Sequence, residues 1–180
     1  MIVTATSIPE VLIIEPKVYR DQRGAFFESF NEGAMAQIGL SLRFVQDNQS
    51  RSVKHVLRGL HYQIQQPQGK LVRVVSGDIF DVAVDLRKSS PTFGKWVAVR
   101  LSASNRLMVW IPPGFGHGFL VLSKIADFLY KTTDFYSPQS ERTVAWNDPD
   151  LGIDWPLTAE PLLSAKDAVG VPLRDAEVFE

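Results

Sequence analysis

Short apolar runs separated by turn residues fill this chain, and one segment stands out as the best helix candidate. Val11-Leu12-Ile13-Ile14 is closed by Pro16, and Phe26-Phe27-Glu28-Ser29-Phe30 follows the turn-like Asp21-Gln22-Arg23-Gly24. The patterning predicts strands at Arg43–Gln49, Val56–Ile64, Lys70–Ser76 and Ile79–Leu86. It predicts four more at Trp96–Leu101, Leu107–Ile111, Gly118–Leu122 and Asp127–Asp134. Gly77-Asp78, between Ser76 and Ile79, predicts a hairpin. The helix candidate spans 31–38, where Asn31 can cap the start and Gly39 can end it. From Ser137 onward, prolines and Asp-Pro or Trp-Pro pairs predict a looped tail. No strand alternates with a long helix, which argues against a doubly wound sheet. The expectation is an all-β jelly-roll barrel with short peripheral helices, whose mouth suits a small ligand.

Composition narrows the function. A chain of 180 residues, 45% hydrophobic and 22% charged, suits a single globular domain over 1–180. The net charge of −1 predicts no generic attraction to nucleic acid or to an anionic membrane. An anionic ligand must then be held by local arginines and lysines. The chain has no cysteine, so disulfides, thiolate nucleophiles and cysteine-ligated zinc are excluded. Met1-Ile2-Val3-Thr4-Ala5-Thr6 lacks the basic start and long apolar run of a signal peptide. Charged residues interrupt every apolar stretch well before ~18 residues, so no transmembrane helix is expected. A soluble cytoplasmic protein is the expectation.

The chemistry concentrates in Arg58-Gly59-Leu60-His61-Tyr62-Gln63 and the nearby Gln68-Gly69-Lys70-Leu71-Val72-Arg73. A histidine accepts a proton near neutral pH. A nearby lysine or arginine holds an anion or stabilises developing negative charge. Together they are the minimum equipment for removing a proton next to a carbonyl. Arg58 and His61 have opposite parity, so a bulge at Gly59 is needed to aim both at one pocket. Of the three histidines, His55 beside Lys54 reads as an ordinary hydrogen-bonded core or surface residue. His117 lies between glycines in Phe115-Gly116-His117-Gly118-Phe119, and an extended backbone puts Phe115, His117 and Phe119 on one face. A barrel metal site needs three or four converging His, Asp or Glu ligands. His61 is followed by Tyr62 and Gln63 rather than a second histidine, so no metal is expected. Tyr130 and Tyr136 are protonated at neutral pH and can supply a proton, although an amphipathic packing role explains either alone. Asp167 would fix a histidine tautomer if it reached the ring, or else be a surface loop aspartate. Gln46-Asp47-Asn48-Gln49 is rich in amides, which when buried demand protein or ligand partners.

These segments, in this order, resemble the dTDP-4-dehydrorhamnose 3,5-epimerase family. The resemblance rests on Asp21-x-Arg23-Gly24-x-Phe26-x-Glu28, Phe44-Val45-Gln46-Asp47-Asn48 and Val56-Leu57-Arg58-Gly59-Leu60-His61-Tyr62-Gln63. Further markers are Gln68-Gly69-Lys70-Leu71-Val72-Arg73, Pro112-x-Gly114-x-Gly116-His117-Gly118-Phe119 and Leu163-Ser164-x-Lys166-Asp167. The resemblance runs from Val11 to about Leu173 and implies a cupin-like jelly roll, a homodimer, no metal and no redox cofactor. It implies the substrate dTDP-4-dehydro-6-deoxy-D-glucose, the product dTDP-4-dehydro-L-rhamnose and a place in dTDP-L-rhamnose biosynthesis. By the same resemblance His61 is the general base, Tyr130 the general acid, Asp167 the partner of His61 and Lys70 the stabiliser of the enolate oxygen. Arg23, Phe26, Glu28, Gln46, Asn48, Arg58, His117, Tyr136, Glu141 and Lys166 are implied as substrate-binding positions. Three other readings stay open. One is an epimerase acting at a single carbon or a 3,4-ketoisomerase on a related sugar, and another is a metal-dependent barrel enzyme. The third is a sugar-binding module without catalysis.

Overall fold

A computed structural model describes residues 1–180. The chain opens with β1 (Ile2–Ala5), β2 (Leu12–Glu15), the small hairpin β3 (Tyr19–Asp21) and β4 (Gly24–Phe26), and helix α1 (Glu32–Gln37). Next come β5 (Gln46–Val53), β6 (Leu57–Gln63), β7 (Lys70–Ser76) and β8 (Asp78–Asp85). Then follow β9 (Trp96–Ser102), β10 (Met108–Ile111), β11 (Phe115–Val121), β12 (Ile125–Thr132) and β13 (Glu141–Thr143). Helix α2 (Ala165–Ala168) and a 3₁₀ turn (Leu173–Asp175) close the chain.

The main strands form two antiparallel sheets, in the order β1-β2-β10-β7-β12-β5 and β13-β6-β11-β8-β9. This is the expected jelly roll, with neighbouring strands drawn from distant parts of the sequence. Helix α1 is capped as its sequence predicts: the Asn31 side chain accepts from the Ala34 N–H.

The Gly77-Asp78 hairpin is not formed. Strands β7 and β8 lie in different sheets, with β7 pairing β10 and β12 while β8 pairs β9 and β11. The dipeptide turns a corner between layers instead. Gly77 adopts φ +83°, and a Cβ there would sit 2.1 Å from the Ile125 carbonyl oxygen. The Asp78 N–H donates to Ser123 Oγ, which fixes the new direction. A tight two-residue turn is a local signal, and the partner of each strand is not.

Strand β5 starts later and runs further than the apolar pattern suggests, because β12 pairs with it from Gln46 to Val53. Strand β11 begins at Phe115 rather than Gly118, since its glycines serve close packing between strands rather than a turn. Strands β3 and β13 carry too few apolar residues to stand out in the sequence, and β1 (Ile2-Val3-Thr4-Ala5) is only four residues long.

Three apolar clusters hold the layers. Val72, Val74, Ala83, Val97, Val99, Phe119 and Phe128 fill the space between the sheets. Ile14, Met35, Leu71, Met108 and Trp110 lie under α1 on the outside of the larger sheet. The looped tail is a working part of the fold. Its Val144, Leu151 and Trp155 pack on Leu57, Leu60, Tyr62, Val82, Val84 and Leu120, on the outside of the smaller sheet. Each such fully buried side chain contributes about 1.5–3 kcal/mol. Polar ends are satisfied as well: Trp155 Nε1 donates to the Trp146 carbonyl and Trp96 Nε1 to that of Leu151. No helix is long and apolar enough to cross a membrane.

Candidate active site

The interior of the sandwich is divided. Toward β8, β9 and β10 it is apolar and closed. Toward β5, β6 and β12 it opens into a cavity of about 370 Å³ lined largely by polar side chains. The cavity exists there because the inward row of β5 is Gln46, Asn48, Ser50 and Ser52, none of which can fill space as an aliphatic residue does.

Strand β6 supplies the first wall. Along β11, His117 stands opposite His61 and Phe119 opposite Arg58, so three residue steps on β6 match two on β11. This is the bulge that the parity of Arg58 and His61 requires, and both side chains line the cavity. Gly59 makes it possible. Its φ is +125°, and a Cβ would lie 2.5 Å from Gly118 Cα. A Cβ on Gly118 would in turn meet the Arg58 carbonyl oxygen at 2.7 Å. Two facing glycines let the strands approach closely at the point where one of them buckles.

His61 meets Asp167 across 106 residues of sequence, with Nε2 2.5 Å from Asp167 Oδ1. Asp167 is buried, and the short helix α2 presents it. Ser164 caps that helix by accepting from the Asp167 N–H and donates its own hydroxyl to Asp167 Oδ2. The Gly59 N–H donates to Asp167 Oδ1. Burial raises the pKa of this carboxyl, but the hydrogen bonds from His61, Ser164 and Gly59 outweigh it and hold it at about 2. Burial lowers the His61 pKa below its ordinary value, against the hydrogen bond with Asp167 and with help from the Lys166 and Lys70 charges. His61 is therefore neutral at pH 7, with its tautomer set by an ionised aspartate.

The other wall belongs to the larger sheet. Tyr130 on β12 lines the cavity, and burial raises its pKa, with the Glu141 charge adding to the effect, so the phenol keeps its proton. Lys70 opens β7, where Nζ donates to the His61 carbonyl oxygen at 3.2 Å and so bridges the two sheets. Burial lowers its pKa to about 8 despite the nearby carboxylates of Asp81 and Glu141, which leaves it mostly charged at pH 7.

The mouth is a polar clamp. Tyr136 donates to Glu141 Oε2 at 3.0 Å, and Lys166 Nζ donates to Glu141 Oε1 at 2.6 Å. Gln46 accepts from the Tyr136 N–H and donates to Asn48. Arg58 donates to Ser52 Oγ from both Nε and Nη2. His117 lies deeper, with Nε2 2.8 Å from Asp81 Oδ1 and its ring stacked on Phe128.

The cavity thus gathers His61, Tyr130, Lys70, Gln46, Asn48, Arg58, His117, Tyr136, Glu141 and Lys166, with Asp167 directly behind His61. It does not gather Arg23, Phe26 or Glu28. Arg23 and Phe26 sit on the β3–β4 hairpin, where Arg23 pairs with Asp21 and Phe26 is 67% exposed. Glu28 follows the hairpin and accepts from the Asn31 side chain. Seven lining residues escaped the sequence reading as site residues, among them Gln63, Gln68 and Ser50. Gln63 is two residues from His61, the spacing that puts both on one face of a strand, and that signal was available. Its buried amide donates to the carbonyls of Gln66 and Phe135 and accepts from the Ser137 N–H, which secures the loop bearing Tyr136. No three His, Asp or Glu side chains converge as metal ligands.

The likeness to known proteins runs through both sequence and fold. The sequence model of the dTDP-4-dehydrorhamnose 3,5-epimerase family matches residues 5–175. The dTDP-4-dehydrorhamnose 3,5-epimerase of Pseudomonas aeruginosa is 59% identical over 177 residues, covering 98% of this chain and 98% of that protein. The enzyme of the same name from Salmonella typhimurium is 58% identical, covering 97% of this chain and 96% of its own. Among solved structures, a dTDP-6-deoxy-D-glucose-3,5-epimerase from Legionella pneumophila in complex with dTDP-4-keto-L-rhamnose superposes with a TM-score of 0.95. It is 56% identical and covers 97% of this chain and 94% of that one. Sequence and structure agree along nearly the whole length, and the protein is a member of the dTDP-4-dehydrorhamnose 3,5-epimerase family of isomerases.

Proposed function

We propose that this protein inverts C3 and C5 of dTDP-4-dehydro-6-deoxy-D-glucose to give dTDP-4-dehydro-L-rhamnose, a step of dTDP-L-rhamnose biosynthesis. The observation that carries the reading is a neutral, aspartate-held histidine and a protonated tyrosine on facing sheets of one cavity. Inverting a carbon means taking its proton from one face and returning one to the other. A single group would have to cross the ring, whereas two groups on opposite walls need not.

In this reading Nε2–H of His61 donates to Asp167, which leaves Nδ1 as the basic atom. It takes the proton from the carbon beside the C4 ketone, and the electron pair moves to the ketone oxygen. Lys70 stabilises that enolate oxygen. Of its three N–H donors, one already serves the His61 carbonyl, which fixes the ammonium and leaves two for the oxyanion. Tyr130 gives its proton to the opposite face and the ketone reforms. The phenolate then recovers a proton from solvent, and the imidazolium releases one. Because the ketone acidifies both neighbouring C–H bonds, the same four residues serve C3 and C5 in turn. Tyr136, Glu141, Lys166, Gln46, Asn48, Arg58 and His117 are the binding positions in one copy.

The same reading takes residues 1–180 as one catalytic unit working as a homodimer in the cytoplasm. The exposed β3–β4 hairpin supports the dimer. Arg23 and Phe26 lie outside their own cavity, so as binding residues they act on the site of a second copy. An arginine fork suits a diphosphate and an aromatic face suits thymine.

The test is incubation with the 4-keto sugar nucleotide in deuterium oxide. Deuterium at both C3 and C5 of an inverted product is expected. Label at one carbon alone would assign single-site epimerisation, and a migrated ketone would assign a ketoisomerase.

A further inference from the structure

The inward row of β5 contains one polar group that the protein leaves without a partner. Gln46 is engaged by the Tyr136 N–H and by Asn48, and Ser52 is engaged by Arg58. Between them the Ser50 hydroxyl is screened from solvent, makes no hydrogen bond within the chain, and lines the cavity. It is the only buried side-chain nitrogen or oxygen in the molecule in that condition. Buried hydroxyls are ordinarily paired, and an unpaired one costs stability that a ligand bonding it offsets.

Its position says which part of a ligand it meets. Gln46 bonds the Tyr136 backbone at the mouth, and Ser50 lies four residues further on, about 13 Å along the extended strand toward the buried Ser52 and Phe128. There it stands opposite Phe128, two residues along from the pairing of Asn48 with Tyr130. Phe128 is itself stacked under His117. No cation bonds the Ser50 oxygen, and the guanidinium nearest in the row is committed to Ser52. A neutral donor and acceptor against the buried Phe128, two residues along from the Tyr130 pairing, fits a neutral hydroxyl and not a phosphate.

We infer that Ser50 is a specificity-determining residue that hydrogen-bonds a ring hydroxyl of the sugar, at C2 or C3. The inference rests on the substrate proposed above. It grades β5 along its length, with amides at the mouth and a hydroxyl reader at the inner end.

Ser50→Ala tests it. On the parent 4-keto sugar nucleotide, kcat/KM is expected to fall about 3–10-fold, the effect of one lost neutral hydrogen bond. Affinity for dTDP alone is expected to stay within about twofold, because the nucleotide end does not reach this serine and loses no hydrogen bond there. The thermal midpoint of the free protein is expected to equal or exceed that of the parent, because an unpaired buried oxygen has been removed. With the 2-deoxy and 3-deoxy analogues, the difference between parent and variant is expected to vanish for one of the two. Unchanged kcat/KM on the full substrate overturns the inference. So does a matching loss of dTDP affinity, which would assign Ser50 to the diphosphate, or an effect that persists with both analogues. A wild-type protein that exchanges no proton at C3 or C5 would instead remove the proposed reaction, so the two failures are told apart.

Discussion

Two histidine–aspartate pairs lie side by side in this molecule, and they differ in almost everything except the contact itself. His61 and His117 are register partners on neighbouring strands, and each turns Nε2 to an aspartate, at 2.5 and 2.8 Å. The His61 side chain is 24% exposed, that of His117 8%. His117 takes its aspartate from the adjacent strand β8 and packs against Phe128 and Phe119. His61 takes its aspartate from a four-residue helix in the tail and has open cavity before it. A pair built within one sheet and packed on aromatic rings is suited to holding shape. A pair assembled from sheet and tail, with one ring edge free, is suited to moving protons. The contact alone does not distinguish them; the surroundings do.

Breaking the proposed base should give the largest effect. His61→Asn is expected to lower turnover ~10²–10⁴-fold, the usual contribution of a general base, while dTDP binding and the thermal midpoint change little. Near-normal turnover would end the division of labour between the pairs. Asp167→Asn keeps the imidazole but loses control of its tautomer, so a smaller loss on the order of 10–100-fold in kcat is expected. The same change at Asp81 should cost less activity than at Asp167, and equal losses would show that both pairs serve the chemistry.

The pH profile sharpens the contrast. Burial lowers the His61 pKa below its ordinary value, so kcat/KM should rise with pH on a limb centred below pH 6.5. It should fall again near pH 8, as Lys70 loses the charge proposed to stabilise the enolate. Stability should move the other way. The folded pKa of Lys70, about 8, lies below its ordinary 10.5, so between these values the unfolded chain binds more protons than the folded one. Folding should strengthen as pH rises from 8 to about 10, while activity is being lost. Parallel falls in both would mean that the ammonium is not buried as described.

The smallest expected effect is structural. Asp81→Ala leaves the buried His117 nitrogen without its partner and should destabilise the fold by about 1–3 kcal/mol, read from chemical denaturation. It also removes a carboxylate that helps keep Lys70 charged, so the alkaline limb of activity should shift to lower pH.

Much of the site was legible because it is written on strands. Strand β7 begins and ends where the apolar pattern places it, and Lys70, His61 and Tyr130 lie within segments readable as extended. The parity conflict between Arg58 and His61 required a bulge, and the glycine between them marked its location. The family resemblance drew the same residues together and agrees with the known relatives along nearly the full chain. What stayed illegible was relational. The Gly77-Asp78 turn looked like a hairpin because a two-residue turn carries no record of which strands pair. Nothing local marked Asp167 as the neighbour of a residue 106 positions earlier. Arg23, Phe26 and Glu28 carry a recognisable motif, yet one copy of the chain does not bring them to its cavity.

By itself the sequence determined the chemistry that was available and the layers that could form. Period-two apolarity commits segments to strands, glycines permit close approach, and the side-chain types equip the chain for proton transfer and anion binding. Only the tertiary structure decided that His61 is neutral with open cavity before it and that His117 is packed on aromatic rings. Burial, partner charges and packing act through space, and these arise from pairings between strands and tail that no local stretch of residues encodes.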